Sequence, residues 1–419
     1  MTSSTSMRVP APTGGHSALR RLVSVPVDEF ADRYWGREPL LSPADTLPAG
    51  FADLFSNIAV DELVSRRGLR APFLRVAKNG TTLADRAFTD GGGVGAAIAD
   101  QASDDKLLAL FADGATIVLQ GLHRTWDPML SFSQDLAADL GHPVQVNAYV
   151  TPAQNTGFSD HYDVHDVFVL QIAGEKRWRI RPPVHPSPLR DEPWTDRRDA
   201  VEAAAHADPL IETTLRPGDC LYLPRGYLHS ATALGDVSTH LTIGVHPWTR
   251  RHLADELVAA AVRRASSDES VRASLPLGVD LDEPGDWDTD LEVVRDALVR
   301  ALQSTSAADL AAALTDRSRR AQRAAPIAPV AQVRAAARLA EQDEVTLRSH
   351  LGARLVPTPE GGTLRSRATD VSVVEADVPA VRRLLEDGRA SVADLGPDLA
   401  RRLLFAAVIV ADFAAPHPR

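Results

Sequence analysis

The stretch GFSDHYDVHDVFVLQIAGEKRW, Gly157 to Trp178, places two histidines and three aspartates within seven consecutive residues. Side chains alternate between the two faces of an extended strand, so His161, Asp163 and His165 would share one face. The α-carbons of His161 and Asp163 would lie roughly 6.6 Å apart, within reach of one cation, whereas His165 would be roughly 13 Å from His161. The spacing therefore predicts that His161 and Asp163 are two ligands of one metal ion, with a third ligand elsewhere.

The third ligand is best sought in RPGDCLYLPRGYLHSA, where two turns flank a short strand and direct His229 back across the sheet. His240 competes for this role, because the strand STHLTIGV places it on one face with Thr242; a hydrogen-bonded core histidine is its alternative assignment. We expect His246 to be structural and His165 to lie at a rim or in solvent. Two histidines and one carboxylate are the ligand set of non-haem Fe(II) oxygenases, although Mn, Co, Ni and Zn would also bind it.

Bulk composition narrows the class of protein. The 419 residues are 44% hydrophobic and 24% charged, which is typical of a folded globular chain, and Cys220 is the only cysteine. A disulfide or thiolate-rich site is thereby excluded, so a metal must be held by His and carboxylate. The formal charge of -11 disfavours broad nucleic-acid binding. No apolar run approaches the roughly 18 residues of a membrane helix. Residues 1–16 read as a disordered tail without a signal peptide, so we expect a cytoplasmic protein.

The elements around these residues change in character along the chain. A helix is predicted over residues 129–141, with Gly141 as its end. Short strands rich in Val, Ile, Tyr and Trp follow, the pattern of an all-β sandwich or barrel: PVQVNAYVTP, DVFVLQIAG, KRWRIRPP, LIETTLRPGD, CLYLPRG and STHLTIGVHPW. Residues 251–325 show helical spacing. Beyond them, helices accompany a strand pair for which Gly361 and Gly362 suit the hairpin turn.

GFSDHYDVHDVFVLQIAGEKRWRI, PGDCLYLPRGYLHSA and STHLTIGVHPW together resemble the JmjC-type cupin fold of the ribosomal oxygenases, which are Fe(II)- and 2-oxoglutarate-dependent protein hydroxylases. FADRYWGREPLL and LRAPFLRVAKNG extend the likeness toward the N-terminus. The resemblance implies an α+β protein with a double-stranded β-helix (cupin/JmjC jelly roll) over residues 17–250. It further implies a helical dimerisation module over 251–325, a winged-helix-like domain over 326–419, and a homodimer.

By this resemblance His161, Asp163 and His229 are the iron ligands, in agreement with the spacing argument. The family also places a cationic residue on the following strand to hold the distal carboxylate of 2-oxoglutarate, and Lys176 occupies that position. It is one of three lysines among the 45 basic residues. The alternative is an exposed hairpin lysine beside Glu175.

Two further residues follow from the resemblance alone. Asn147 matches a family position that lines the co-substrate pocket, and Thr242 could give its hydroxyl to the co-substrate. Both could equally be ordinary polar residues that close a barrel interior.

The implied function is hydroxylation of an arginine or histidine side chain of a protein substrate, in particular a ribosomal protein. The same chemistry on a peptide natural product or small molecule is the alternative within the class. A third hypothesis is a non-catalytic cupin sensor with a DNA-contacting C-terminal domain. That domain carries Arg382 and Arg383, but Glu386, Asp387 and Asp394 dilute the positive charge that DNA binding needs.

Overall fold

The structure, a computed structural model, describes residues 16–78, 80–155 and 159–411. It divides after Pro247 into two compact units, an N-terminal unit up to that residue and a C-terminal unit from Trp248 onward. The predicted disordered tail, apart from His16, lies outside the described residues. None of the helices in the described ranges is both long and apolar enough to cross a bilayer.

The N-terminal unit is built on a nine-stranded sheet, in the order β1-β10-β8-β11-β7-β6-β2-β3 with β9 paired to β8. Two long strands, β8 and β11, pair with each other along most of their lengths, and this folds the sheet into the predicted jelly roll. The nine strands are β1 Leu40–Ser42, β2 Leu74–Lys78, β3 Thr81–Thr82, β6 Thr116–Leu119, β7 Val144–Thr151, β8 Asp166–Arg181, β9 Ile211–Leu215, β10 Cys220–Leu223 and β11 Leu228–Val245. Strands β4 Thr89–Asp90 and β5 Gln101–Ala102 form a separate two-stranded sheet.

Strand β7 shows how alternation divides the two faces of this sheet. Val146, Ala148 and Val150 on one face are buried in the main apolar core. The other face carries the polar residues Tyr149 and Thr151. One face of the sheet thus contacts the main apolar core, and the other face carries polar side chains inside the jelly roll.

Helices pack on the core face of the sheet. They are α1 Ser17–Arg20, α2 Val27–Glu29, α3 Asn57–Arg66, α4 Asp104–Ala112, α5 Leu122–Thr125 and α6 Asp127–Leu140. Helix α7 Arg198–Ala205 contributes Val201 to a separate small cluster with Tyr162 and Leu228. The predicted end of the helix at Gly141 is confirmed for α6, because Gly141 caps it in the left-handed conformation at φ 69°.

The C-terminal unit begins with helices and continues as a mixed region. Its helices are α8 Arg250–Ala265, α9 Glu269–Arg272, α10 Asp288–Ser304, α11 Ala307–Ala321, α12 Pro329–Arg338, α13 Val378–Asp387, α14 Val392–Leu395 and α15 Pro397–Phe405. Its strands are β12 Glu344–Leu347, β13 Arg354–Thr358, β14 Gly361–Arg365, β15 Asp370–Val374, β16 Arg389–Ser391 and β17 Ile409–Val410. Strands β13, β14 and β15 form one sheet, and β12 lies between β16 and β17 in another.

The predicted hairpin is present, but the prediction that Gly361 and Gly362 form its turn is wrong. Thr358 pairs with Gly361, so the turn consists of Pro359 and Glu360, and both glycines lie in β14. The glycine at 361 has another cause: its φ is 132°, and a Cβ there would be 2.4 Å from the carbonyl oxygen of Val373. Close approach of β15 therefore requires it.

Candidate metal centre

Three side chains converge inside the jelly roll and form what we term the ligand cluster: His161, Asp163 and His229. One ligand atom from each lies within 4.8 Å of the others. Nε2 of His229 is 3.8 Å from Oδ2 of Asp163, and the two imidazole centroids are 4.4 Å apart. Of the two histidines considered for the third position, the structure brings His229 to the pair. His240 is not in the cluster.

Backbone pairing fixes the two histidines relative to each other. The amide of His229 donates to the carbonyl of His161 at 2.9 Å, and the amide of His161 donates back at 3.2 Å. The extended strand assumed from the sequence is wrong for this segment, since β8 begins only at Asp166. The carbonyl of Asp163 instead accepts from the amide of Gly226, in the turn before β11, at 3.0 Å. His161 and Asp163 therefore converge because a local bridge holds them, and not because a strand alternates.

Hydrogen bonds to the backbone select the tautomer of both imidazoles. Nδ1 of His161 donates to the carbonyl of Ser159 at 2.7 Å, and Nδ1 of His229 donates to the carbonyl of Tyr227 at 3.1 Å. A carbonyl oxygen can only accept, so each Nδ1 carries the proton. Nε2 is then the ring atom that carries the lone pair a cation would bind, and hydrogen bonds of this kind commonly orient metal-binding histidines.

The protonation states also suit a cation. Burial lowers the pKa of His229 to about 4, and the nearby His161 adds to this effect. Burial acts to raise the pKa of Asp163, but the neighbouring imidazoles of His165, His229 and His161 outweigh it and the pKa is lowered. A neutral imidazole and an ionised carboxylate are the forms that bind metal.

The ligand cluster opens on a cavity of about 240 Å³. Its wall combines strand residues of the jelly roll with Trp194 from the connection between β8 and β9. The lining outside the ligand cluster consists of Arg75, Thr116, Tyr149, Val167, Val169, Lys176, Trp178, Trp194, Ser230, Ala231, His240 and Thr242.

Lys176 is buried in this cavity, with 3% of its surface exposed. Its ammonium donates to Oγ1 of Thr151 at 3.2 Å, and Thr151 in turn accepts from Thr116. Burial lowers the pKa of Lys176 to about 7. The alternative of an exposed hairpin lysine is therefore excluded, and the side chain is a buried cation without a carboxylate partner among the described residues.

Arg75 on β2 is a second cation in the cavity wall, and sequence reasoning missed it. Its Nε is buried and has no hydrogen-bond partner among the described residues. Asp163 is the one carboxylate among the described lining residues. We refer to Lys176 and Arg75 as the cavity cations. Alternation along LRAPFLRVAKNG could have assigned Arg75 to the polar face of its strand. The sequence around Arg75 does not show, however, that this face borders the cavity.

The remaining predicted residues separate. Thr242 lines the cavity, whereas Asn147 is not among its described lining residues: its side-chain oxygen accepts from the amide of Gly121 at 3.2 Å. His240 also lines the cavity and stacks on Tyr149, with centroids 5.0 Å apart and rings inclined by 6°. Burial lowers the pKa of His240 well below its usual value, so this imidazole is neutral.

His165 and His246 lie together outside the ligand cluster. Their rings meet edge to face at 5.1 Å. Nδ1 of His165 is buried and lacks a hydrogen-bond partner among the described residues. His165 as a whole is half-buried, which agrees with a position at a rim and not with full exposure to solvent.

Comparison with known proteins agrees with this geometry. The family model described as the JmjC domain matches residues 125–253. Residues 125–253 are thus similar to a JmjC domain. Ribosomal oxygenase 2 of Bos taurus is 34% identical over 166 residues, which is 39% of this chain and 34% of that protein. Ribosomal oxygenase 1 of Gallus gallus is 29% identical over 260 residues, 60% of this chain and 40% of that protein. The predicted resemblance to the ribosomal oxygenases is confirmed, although the chain spans less than half the length of these relatives.

Solved structures show the same fold. The Escherichia coli ribosomal oxygenase YcfD in complex with cobalt and 2-oxoglutarate superposes with a TM-score of 0.53 at 13% identity, over 94% of this chain and 99% of that chain. The structure of YcfD with cobalt and succinic acid superposes with a TM-score of 0.55 at 14% identity, with the same coverage. At this identity the similarity establishes the fold.

Proposed function

We propose that this protein is an Fe(II)- and 2-oxoglutarate-dependent oxygenase that hydroxylates a side chain of a polypeptide. The observation that carries the proposal is the ligand cluster: two imidazoles and one carboxylate, whose ligand atoms lie within 4.8 Å of one another beside a buried lysine. Two histidines and one carboxylate bind Fe(II) on one side and leave its other positions open. Cobalt in the YcfD structures supports a divalent cation at such a site.

The chain's own residues suit 2-oxoglutarate. When bound together, iron and 2-oxoglutarate would activate dioxygen: one oxygen atom enters succinate as 2-oxoglutarate loses carbon dioxide, and the other is inserted into an unactivated C–H bond of the substrate. Lys176, with Thr151 beside its ammonium, would pair with the distal carboxylate, because a desolvated ammonium gains most from a counter-charge. Thr242 offers a hydroxyl within the same cavity, and Val167 and Val169 help to exclude water.

The charges in the cavity favour histidine over arginine as the hydroxylated side chain. The negative charges of a bound dicarboxylate and of Asp163 would together balance the positive charges of a divalent cation and of Lys176. Arg75 would then remain as an excess positive charge, and a substrate guanidinium would meet no carboxylate other than the ligand Asp163 among the described lining residues. An uncharged imidazole meets no such repulsion. A relative from Drosophila persimilis, 33% identical over 139 residues, is named a bifunctional lysine-specific demethylase and histidyl-hydroxylase NO66.

The names of the relatives point to a ribosomal protein as substrate. Intact-mass comparison of ribosomal proteins from cells with and without this gene tests this directly. We expect one protein to lose the mass of a single oxygen atom in the deletion strain, and fragmentation to place that oxygen on a histidine. Unchanged masses would contradict the ribosomal substrate, and an oxygen on arginine would contradict the charge argument.

We also propose that helix α8 joins two copies of the chain. Val258 and Val262, four residues apart on one face of this helix, are 56% and 48% exposed, an apolar patch that a second copy would cover. Light scattering should give about twice 45.1 kDa. A monomer at micromolar concentration would contradict it.

We also propose that the C-terminal unit contains a winged-helix-like domain. Its elements would be strands β13 to β15 and helices α13 and α15.

A further inference from the structure

Asp160, the residue before the first ligand, holds two other segments through one oxygen atom. Its Oδ1 accepts from Nη1 of Arg181 at 2.6 Å and from Oγ of Ser230 at 3.1 Å. The Arg181 side chain is 8% exposed and that of Asp160 is 25% exposed, so this ion pair is largely shielded from water. Nε of Arg181 is bound in turn to the carbonyl of Ala207 at 2.8 Å, so the guanidinium is fixed from two sides.

Asp160 and its partner Ser230 each lie next to a histidine ligand in the sequence. Asp160 directly precedes His161, and Ser230 directly follows His229. Arg181 ends β8 and pairs across the sheet with Leu228, the residue before His229. One carboxylate oxygen therefore ties the segment that carries the first histidine ligand to the strand that carries the other.

We infer that Asp160 is a positioning residue, whose Arg181-held carboxylate fixes the separation of the His161 and His229 imidazoles before a metal binds. The backbone bridge between the two histidines sets the separation of their α-carbons. The Asp160 carboxylate adds a side-chain link from the residue before His161 to Ser230, the residue after His229. Partners outside the first ligand shell typically change metal affinity by about 10- to 100-fold. The inference rests on the metal site proposed above.

Cobalt(II) is a suitable probe, because its visible absorption reports the geometry of the ligands as well as occupancy. We expect Asp160→Asn to weaken cobalt binding by about 10- to 100-fold and to shift the visible spectrum of the loaded protein. Asp160→Glu should recover part of the affinity, since it keeps the charge for Arg181. In Asp160→Asn/Arg181→Met the cobalt affinity should be no lower than in Asp160→Asn alone, because both residues act through one carboxylate.

Strand β9, which pairs with the end of β8, offers a matched control. Glu212→Gln removes an exposed ion pair to Arg179 of β8, at 3.2 Å, without touching either ligand segment. It should leave cobalt affinity and spectrum as in the wild type. If Glu212→Gln behaved like Asp160→Asn, the effect would be general destabilisation of β8 and the inference would fail.

Ser230→Ala decides the question if Asp160→Asn does not fold. This change keeps the buried ion pair and removes only its link to the His229 strand, so we expect a smaller loss of about three- to tenfold with a spectral shift in the same direction. The inference would be overturned if Asp160→Asn folded and had the cobalt affinity and spectrum of the wild type. If only Ser230→Ala folds, the same result in that variant would overturn it. Failure of the wild-type protein to bind cobalt would instead refute the metal site itself.

Discussion

The ligand cluster and the cavity cations share one cavity but differ in how far their polar groups are satisfied. In the ligand cluster both Nδ1 atoms are hydrogen bonded to carbonyls, and the histidine backbones are paired. The cavity cations are the reverse: Lys176 has a threonine hydroxyl where a carboxylate would suit it, and Nε of Arg75 has no described partner. The first region is prepared for a cation, and the second lacks an anion.

This difference indicates where binding free energy would be gained. A preorganised ligand set loses little freedom when a metal binds, so its contribution is set by the three ligand atoms. A buried, unpaired ammonium destabilises the empty protein, and an anionic ligand removes that penalty. Loss of metal and loss of co-substrate should therefore be separable by mutation.

The largest expected effect is on metal binding. Single Ala substitutions of His161, Asp163 or His229 should each weaken Fe(II) or Co(II) binding by more than the ~100-fold that loss of an outer-shell partner costs, while the protein stays folded. His240→Ala should keep the metal, because that imidazole lies outside the cluster. Metal analysis after dialysis, with circular dichroism as the folding control, checks both. Retention of iron by His229→Ala together with its loss from His240→Ala would show that the third ligand is misassigned.

The next largest effect is expected on 2-oxoglutarate binding, through one of the cavity cations. Lys176→Ala should leave metal content unchanged and weaken 2-oxoglutarate binding by at least about thirtyfold, because the distal carboxylate would be desolvated without a partner. Lys176→Arg should bind better than Lys176→Ala, since the charge survives although the planar fork donates differently. Anaerobic calorimetry on metal-loaded protein measures both. Equal affinities for wild type and Lys176→Ala would mean that the ammonium does not meet the co-substrate.

A smaller effect follows from the pKa of Lys176, which burial holds at about 7 in the empty protein. Above that pH the amine is mostly neutral, and a bound carboxylate raises its pKa, so binding must take up a proton. We expect uptake of about one proton per site at pH 8 and almost none at pH 6, with affinity falling by up to about tenfold per pH unit above 7. Calorimetry in two buffers of different ionisation enthalpy measures the uptake. Buffer-independent heats at pH 8 would contradict the lowered pKa.

Thr242 should give the smallest effect. Its hydroxyl contributes at most one neutral hydrogen bond, so Thr242→Val should weaken 2-oxoglutarate binding by about threefold to tenfold. Asn147→Ala serves as the matched comparison, because Asn147 is held by Gly121 and is not among the described residues that line the cavity. A larger loss for Asn147→Ala than for Thr242→Val would place the co-substrate differently.

The sequence was sufficient for residues whose neighbours along the chain carry the signal. His161 and Asp163 are two residues apart and Lys176 follows 13 residues later, so one stretch of sequence contains all three. The alternation argument nevertheless assigned the pair to a strand that begins only at Asp166, because it could not include the bridge to His229. The same side chains converge because of that bridge, and their role as metal ligands stays a prediction.

Residues whose role depends on distant partners were missed for a physical reason. Arg75 reaches the cavity because β2 joins the sheet through β6, and Asp160 matters because Arg181 and Ser230 meet it. Both placements depend on pairings between segments 20 to 70 residues apart, which no local pattern encodes. Asn147 shows the converse error: its strand and face were foreseeable, but the amide of Gly121 takes its oxygen.

Anaerobic titration of 2-oxoglutarate into Fe(II)-loaded protein, followed by the metal-to-ligand absorption band, tests the joint claim most directly, because the band requires metal and co-substrate in one site. We expect the wild type to develop a saturable band, His229→Ala to develop none, and Lys176→Ala to need at least about thirtyfold more 2-oxoglutarate for the same band. A wild-type protein that binds iron and 2-oxoglutarate without the band would contradict the claim, because the two would then occupy separate places.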